Sequence, residues 1–317
     1  MISMKIITQR QITELHIPPK DCIDWVKNSF AVKSESILPA KTSLHPKDID
    51  FFTTMPCILF AKNRFGVKVV HRISGAVPSL GSDLMLYDLS SGELLAIMDG
   101  NWITAMRTGA VATLAAQTFR HSGHITYGFM GLGNTARASM LCLLESEPEK
   151  MHDVVLLQYK NQETDFVKRF EGYSNVSFTV CDNVHELIHK SDVLFSCITE
   201  AKSIICDDDK EYPKGCLLIP IHTRGFQNCD LSFDKVFADD TEHVKGFRYF
   251  NQFKRYAEIQ DVLSGKAKGR ENDTERIISY NVGLGLHDVF FASNIYDMLQ
   301  NNSMNVPFEK ETDKFWI

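Results

Sequence analysis

No run in this sequence approaches the ~20 consecutive apolar residues that cross a bilayer. Its first fifteen residues, MISMKIITQRQITEL, also lack the apolar core of a secretory signal. A soluble, cytoplasmic protein with no membrane partner is expected. A dominant charge is missing too: 34 Lys+Arg against 40 Asp+Glu leave a net charge of −6, and the basic residues are scattered. This excludes the broad basic field that holds a polyanion, so nucleic acid is not expected as a partner. Cysteine is present eight times (Cys22, Cys57, Cys142, Cys181, Cys197, Cys206, Cys216, Cys229) but never as a CxxC pair. Several of these lie within apolar runs, where a reduced, buried thiol is the default, so no zinc or other metal site is expected. Repeats and low-complexity segments are also lacking. What remains is ordinary globular material, 317 residues at 44% hydrophobic and 23% charged, long enough for two domains with separate cores.

The most informative stretch is Ile125–Met140, ITYGFMGLGNTARASM. An apolar, β-favouring run (Ile125, Tyr127, Phe129) leads into Gly131, Gly133 and Ala136, after which Ala138, Met140, Leu141 and Leu144 recur at helical spacing. This reads as a strand, a tight glycine turn and a helix. Gly131 allows the turn, Gly133 lets the backbone approach a pyrophosphate, and Ala136 permits close packing of helix on strand. The first N–H groups of the helix, around Asn134 and Thr135, then point at the phosphates. A structural β-to-α corner is the alternative, but strand and helix stand where dinucleotide binding requires them.

Taken in order, the chain predicts a short strand at Lys5–Ile7 and a helix over Pro19–Phe30, where Cys22, Ile23, Val26 and Phe30 share a face. Strands follow at Cys57–Ala61, Gly66–Ile73, Leu84–Asp88 and Glu93–Asp99, the last two flanking a Ser90-Ser91-Gly92 turn. A helix is expected from Thr104 to about Phe119. Beyond Ile125, strands at Ile125–Met130, Val154–Tyr159, Val176–Val180, Val193–Ile198 and Leu217–Ile221 alternate with helices, which argues for a parallel sheet covered on both faces. Thr199, just past the fourth of these, lies where such a sheet lines a cofactor crevice. Residues 245–275 read as a surface helix and a loop. A final strand, Ile277–Tyr280, meets Asn281-Val282-Gly283 and precedes a helix from about Leu284 to Leu299, which is expected to return to the first domain.

The order of motifs resembles the ornithine cyclodeaminase/mu-crystallin family. The matching pieces are FGVKVVHRISG at 65–75, LMLYDLSSGELLAIMDGNWITAMRTGAVATLAA at 84–116, the GLGNTA turn, FADD at 237–240 and NVGLGLHD at 281–288. The resemblance implies an NAD(P)-dependent homodimer handling amino acids, imines or keto acids at Cα. It implies an α/β fold with a Rossmann-type doubly wound parallel sheet at 121–283. A mainly β-sheet catalytic and dimerisation domain, 1–120, would be completed by 284–317.

On these motifs the residues are compatible. With a helix start at Thr104, Arg107 and Thr108 fall in the first turn, where free N–H groups, the dipole and a guanidinium make an anion site for a carboxylate or a pyrophosphate. The alternative is an exposed first-turn arginine. Period-two alternation points Lys68, Val70 and Arg72 one way and Val67, Val69 and His71 the other. Lys68 is then either an edge-strand lysine that blunts pairing or, as the resemblance favours, a partly desolvated amine that passes protons in imine chemistry. The resemblance adds Lys41 and Met55 to the substrate site and Asn281 to the cofactor site. Lys41 stands where many members have an arginine that forks onto the substrate carboxylate, so the charge is kept and the bidentate geometry lost. Arg224 falls near where cyclodeaminases place an aspartate that assists ring closure, and a guanidinium cannot accept that proton. An oxidoreductase working at Cα is therefore expected, with an ornithine cyclodeaminase and a non-enzymatic NADPH-dependent binding protein as alternatives. The strand Val154–Tyr159 runs into Lys160-Asn161-Gln162 with no acid until Glu163. Nothing there repels a 2′-phosphate and Lys160 offers a cation, so NADP(H) is expected over a still possible NAD(H), unless Glu163 turns to hold the ribose.

Overall fold

The computed structural model describes residues 3–47, 49–221, 225–300 and 304–308. The chain opens with β1 (Ser3–Ile7), α1 (Gln9–Glu14), α2 (Pro19–Ala31), β2 (Thr42–Leu44), β3 (Phe51–Leu59), β4 (Arg64–Arg72), β5 (Leu80–Asp88), β6 (Leu94–Asp99) and α3 (Asn101–Phe119). It continues through β7 (Thr126–Met130), α4 (Asn134–Ser146), β8 (His152–Leu157), α5 (Gln162–Arg169), β9 (Val176–Cys181), α6 (Val184–Lys190), β10 (Val193–Ser196) and β11 (Leu217–Pro220). It ends with β12 (Lys235–Ala238), α7 (Thr241–Val244), β13 (Tyr256–Glu258), α8 (Ile259–Leu263), β14 (Ile277–Tyr280), α9 (Gly285–Met298) and β15 (Met304–Pro307). Two compact units result: Met1–Ile17, Val32–Thr104 and Leu284–Ile317 form the first, Pro18–Ala31 and Ala105–Gly283 the second. The partition differs from 1–120 and 121–283 at two helices. Residues 18–31 and 105–120 belong with the second unit because α2 and α3 bury apolar faces there, α2 against α4.

The first unit is built on a seven-stranded sheet in the order β15-β1-β6-β5-β4-β3-β2. Its strands from β2 to β6 pair antiparallel, and β1 joins β6 in parallel. Alternation decides its two faces. Met55, Cys57, Leu84, Leu86, Ala96 and Met98 are buried on the face that α9 covers. On the other, Phe65, Val67, Val69, Met85, Tyr87 and Ile97 are only half-buried. Strand β3 starts at Phe51, six residues before the expected Cys57, because its alternation extends back through Thr53 and Met55.

The second unit carries an eight-stranded sheet in the order β13-β12-β14-β11-β10-β7-β8-β9, parallel throughout. Every residue of β10, β11, β12 and β14 is buried, the pattern of a sheet covered on both faces. Strand order reverses between β7 and β10, and sheets of this kind bind ligands at the carboxyl ends of the strands at such a switch point. The stretch 245–275, read as surface helix and loop, also contributes the edge strand β13 and the short helix α8. Among the described residues no helix is long and apolar enough to cross a membrane.

Candidate active site

The glycine turn sits at the carboxyl end of β7, at that switch point. Gly131 follows β7 with φ +81, and a Cβ there would come within 2.8 Å of the Cys197 and Ile198 backbone, just past β10. Only glycine fits, because both the left-handed angle and the neighbouring backbone refuse a side chain. Gly133 is the residue before α4, and a Cβ on it would meet nothing within 4 Å. Nothing fills the space beside this N-cap of α4, and a helix start left open in this way is where a pyrophosphate can approach free N–H groups. Gly133 and Asn134 are exposed, Thr135 is half-buried, and Ala136 is fully buried beneath them. Thr199 is exposed beyond β10.

At the same end of the sheet, Asn281 follows β14 and bridges Ile221 after β11. It is 2% exposed, and neither its amide oxygen nor its amide nitrogen has a hydrogen-bond partner among the described residues. The Ser196 hydroxyl at the end of β10 is in the same condition. Buried polar groups are nearly always paired, so donors and acceptors without a partner among the described residues, at the carboxyl end of the sheet that carries the glycine turn, fit a polar ligand such as a dinucleotide.

The tip of the second strand is arranged differently from the expectation. Strand β8 ends at Leu157, and Lys160 and Asn161 take left-handed angles, φ 51 and 62. Lys160 is exposed, its ammonium 5.0 Å from the Tyr159 ring centroid. Glu163 is 7% exposed and accepts the Tyr159 N–H at 3.2 Å, so its carboxylate is committed to the loop backbone.

Helix α3 corrects the placement of Arg107 and Thr108. It begins at Asn101, not Thr104: Asp99 accepts the Asn101 N–H at 2.8 Å and Gly100 accepts that of Thr104 at 2.8 Å. Arg107 and Thr108 are thus in the second turn, where N–H groups bond within the helix. They are also buried, 3% and 2% exposed, which excludes an exposed first-turn arginine. The next residue, Gly109, is where α3 meets α4 backbone to backbone, since a Cβ there would lie 2.5 Å from the Ala138 carbonyl carbon. The RTGA motif carries this signal, but its glycine needs α4 in place to be understood.

In the first unit Lys68 is fully buried in β4, flanked by β3 and β5, so it is not an edge lysine. Its ammonium donates to Asp288 Oδ1 at 2.7 Å, both side chains 0% exposed. Two glycines allow that contact. A Cβ on Gly285 would press to 2.8 Å on the Met55 carbonyl oxygen, and one on Gly66 would reach 2.7 Å from Val289. The first turn of α9 therefore lies directly on β3 and β4 and lowers Asp288 onto Lys68. Met55 pairs across the ladder with Lys68 and is 4% exposed. Burial and the Asp288 charge push the nearby Cys57 thiol up to about 12. Lys41, half-buried, directly precedes Thr42, whose partner is Thr54, so the strand row holding Met55 and Lys68 runs out toward it. Arg224 lies outside the described residues. Asp288 was missed as the partner of Lys68, although NVGLGLHD contains it, because a partner 220 positions away has no local signal.

Ketimine reductase mu-crystallin of Mus musculus is 28% identical over 257 residues, covering 78% of this chain and 80% of its own. Delta(1)-pyrroline-2-carboxylate reductase of Thermococcus litoralis, solved with NADH and L-proline, has a TM-score of 0.85 at 22% identity over 96% of this chain and 100% of that one. An archaeal alanine dehydrogenase dimer with bound NAD has a TM-score of 0.84, also at 22% identity, over 97% and 100%. Residues 3–303 match the ornithine cyclodeaminase/mu-crystallin family. That match takes in the β-sheet unit with its lysine–aspartate pair as well as the parallel sheet with its glycine turn, and the chain belongs to this family.

Proposed function

We propose that the protein is an NAD(P)-dependent oxidoreductase of the amino-acid dehydrogenase or ketimine reductase type, acting at Cα of an amino acid, a ketimine, or the imine of a 2-keto acid and an amine. The observation that carries this reading is the Lys68–Asp288 pair, a charge-bearing amine held inside a sheet of a protein that also has a dinucleotide turn. A bound nicotinamide would supply or accept the hydride exchanged at Cα. Lys68 Nζ holds and passes the proton at the substrate nitrogen, and Asp288 supplies its counter-charge. Burial keeps bulk water from exchanging that proton. Arg107 and Lys41 are assigned the substrate carboxylate and Met55 its apolar part. Gly131, Gly133, Asn134, Thr135, Ala136, Thr108, Thr199 and Asn281 are assigned the cofactor.

NADP(H) is the preferred cofactor in this reading, because Glu163 is taken up by Tyr159 and Lys160 is left exposed for a 2′-phosphate. The half-buried apolar face of the first sheet supports a homodimer through that sheet, as does the dimeric state of the alanine dehydrogenase it resembles. We place the protein in the cytoplasm, where its eight free thiols stay reduced. Arg224, a guanidinium near the cyclodeaminase aspartate position, favours net redox over ring closure.

One assay on purified protein tests the reading. Oxidation of reduced cofactor with keto acid plus amine, or with a cyclic ketimine, is the expected result. Ammonia release from ornithine without net cofactor change would make it a cyclodeaminase, and cofactor binding without turnover a binding protein. Titration of NADPH and NADH, repeated with Lys160→Ala, checks the preference: NADPH binds tighter, and the variant loses most of the difference. Sedimentation at micromolar concentration should give a dimer.

A further inference from the structure

A second cluster of reactive side chains lies on the second unit, away from the glycine turn in sequence and built by other elements. Helix α6 contains His185-Glu186-Leu187-Ile188-His189, which places two imidazoles one turn apart on one face. The H-E-x-x-H spacing is one that holds zinc on helices. Both imidazoles reach Glu211, which ends a short 3-10 turn before β11: His185 Nδ1 lies 2.6 Å and His189 Nε2 3.4 Å from the same Oε2. The thiol of Cys206 completes the group, and the donor atoms of His185, Cys206 and Glu211 all fall within 4.8 Å of one another.

We propose that His185, Cys206 and Glu211 form a binding site for a zinc-class divalent cation, with His189, which lies outside that 4.8 Å group but 3.4 Å from the same Glu211 oxygen, turning in as the fourth donor. The donor set is two imidazoles, a thiol and a carboxylate, which suits a borderline-soft, tetrahedral metal and not the all-oxygen preference of Ca²⁺ or Mg²⁺. Metal–ligand bonds of about 2.0–2.3 Å in a tetrahedron separate neighbouring ligand atoms by roughly 3.4 Å. The His189–Glu211 spacing already has this value, and the His185–Glu211 hydrogen bond needs to open by less than about an ångström. Glu186 is not available as the catalytic base of a zinc peptidase, because it is paired with Lys190 at 2.6 Å, so the site is a structural clamp between α6 and the segment leading into β11. Without a cation, burial and the Glu211 charge push the Cys206 thiol up to about 11. A cation neutralises that carboxylate and takes the thiolate, and the thiol proton leaves to solvent. The lack of a CxxC pair excludes a cysteine-pair site but not one of mixed donors.

The test uses the tag-free full chain, stripped with a chelator and titrated with Zn²⁺ by calorimetry and with Co²⁺ by absorption. The expected result is one Zn²⁺ per chain and a near-ultraviolet sulfur-to-cobalt band. Cys206→Ser should abolish the band, and Cys206→Ser, Glu211→Gln and His185→Gln should each weaken zinc about tenfold or more. His124→Ala, at the separate His124–Asp153 pair, should leave zinc binding unchanged. NADPH titration checks that each variant remains folded. Equal zinc affinity in wild type and the three variants, or Co²⁺ binding without the sulfur band, would overturn the proposal, and neither outcome depends on the redox assay.

Discussion

The two sheets of this molecule hold their chemistry in opposite ways. In the mainly antiparallel sheet the groups proposed to act are side chains, Lys68 and Asp288, pressed together under a helix and sealed from water. In the parallel sheet they are backbone, the N–H groups behind Gly131 and Gly133, and the side chains there serve mainly by being absent. A buried ion pair is sensitive to any change of charge and tolerant of changes that remove both partners. A backbone cradle ignores charge and is sensitive to a single methyl group.

The largest expected effect breaks the side-chain site. Asp288→Ala leaves a buried ammonium without its counter-charge and should cost about 3–5 kcal/mol of stability along with turnover, read from the denaturant midpoint and the redox assay. A loss under about 1 kcal/mol would mean that water reaches the pair. Removing both charges with Lys68→Met and Asp288→Leu should match wild-type stability or exceed it by up to about 4 kcal/mol, while turnover stays at zero and NADPH still binds. That combination separates what the pair does for function from what it does for folding.

In the backbone site, Gly131→Ala meets both a left-handed angle and the Cys197–Ile198 backbone 2.8 Å away, so it should cost about 1–3 kcal/mol and lose cofactor binding.

The Arg120–Glu147 pair of the same unit gives a pH handle. Burial works to raise the Glu147 carboxyl, but hydrogen bonds from Arg120 and Lys150 outweigh it and hold it down to about 2. A depressed carboxyl contributes stability that is complete above the unfolded value near 4.5 and is lost as pH falls from there toward about 2. Because water still reaches and screens the pair, the contribution should be about 1–2 kcal/mol. Glu147→Gln should flatten the fall of melting temperature across that window.

The smallest effect on stability sharpens the comparison most. Gly133→Ala places a methyl in open space and should change stability by less than about 0.5 kcal/mol. Dinucleotide affinity should nevertheless drop roughly tenfold, because the methyl occupies the pyrophosphate's approach. Unchanged affinity would remove Gly133 from the cofactor site.

The sequence by itself determined what depends on neighbours within a few residues. Alternation located β4 and put Lys68 opposite Val67 and Val69, the Pro19 helix was legible from its apolar face, and the GLGNTA turn followed from a β run leading into helical spacing. Small errors were local too: α3 starts one turn early because Asp99 and Gly100 cap it, a preference outweighed in the sequence by the alanine-rich stretch after Thr104. Tertiary structure alone decided the rest. Lys68 acquired its carboxylate partner only when β4 took an interior place in its sheet and α9 came down across Gly66 and Gly285, joining residues 220 positions apart. Glu163, three residues from Lys160, was equally illegible, because which way a short carboxylate turns depends on the Tyr159 N–H that the loop's left-handed backbone presents to it. Periodicity records which face a residue occupies, but a pair of charges or a committed carboxylate exists only once the chain has brought its partner within about 3 Å.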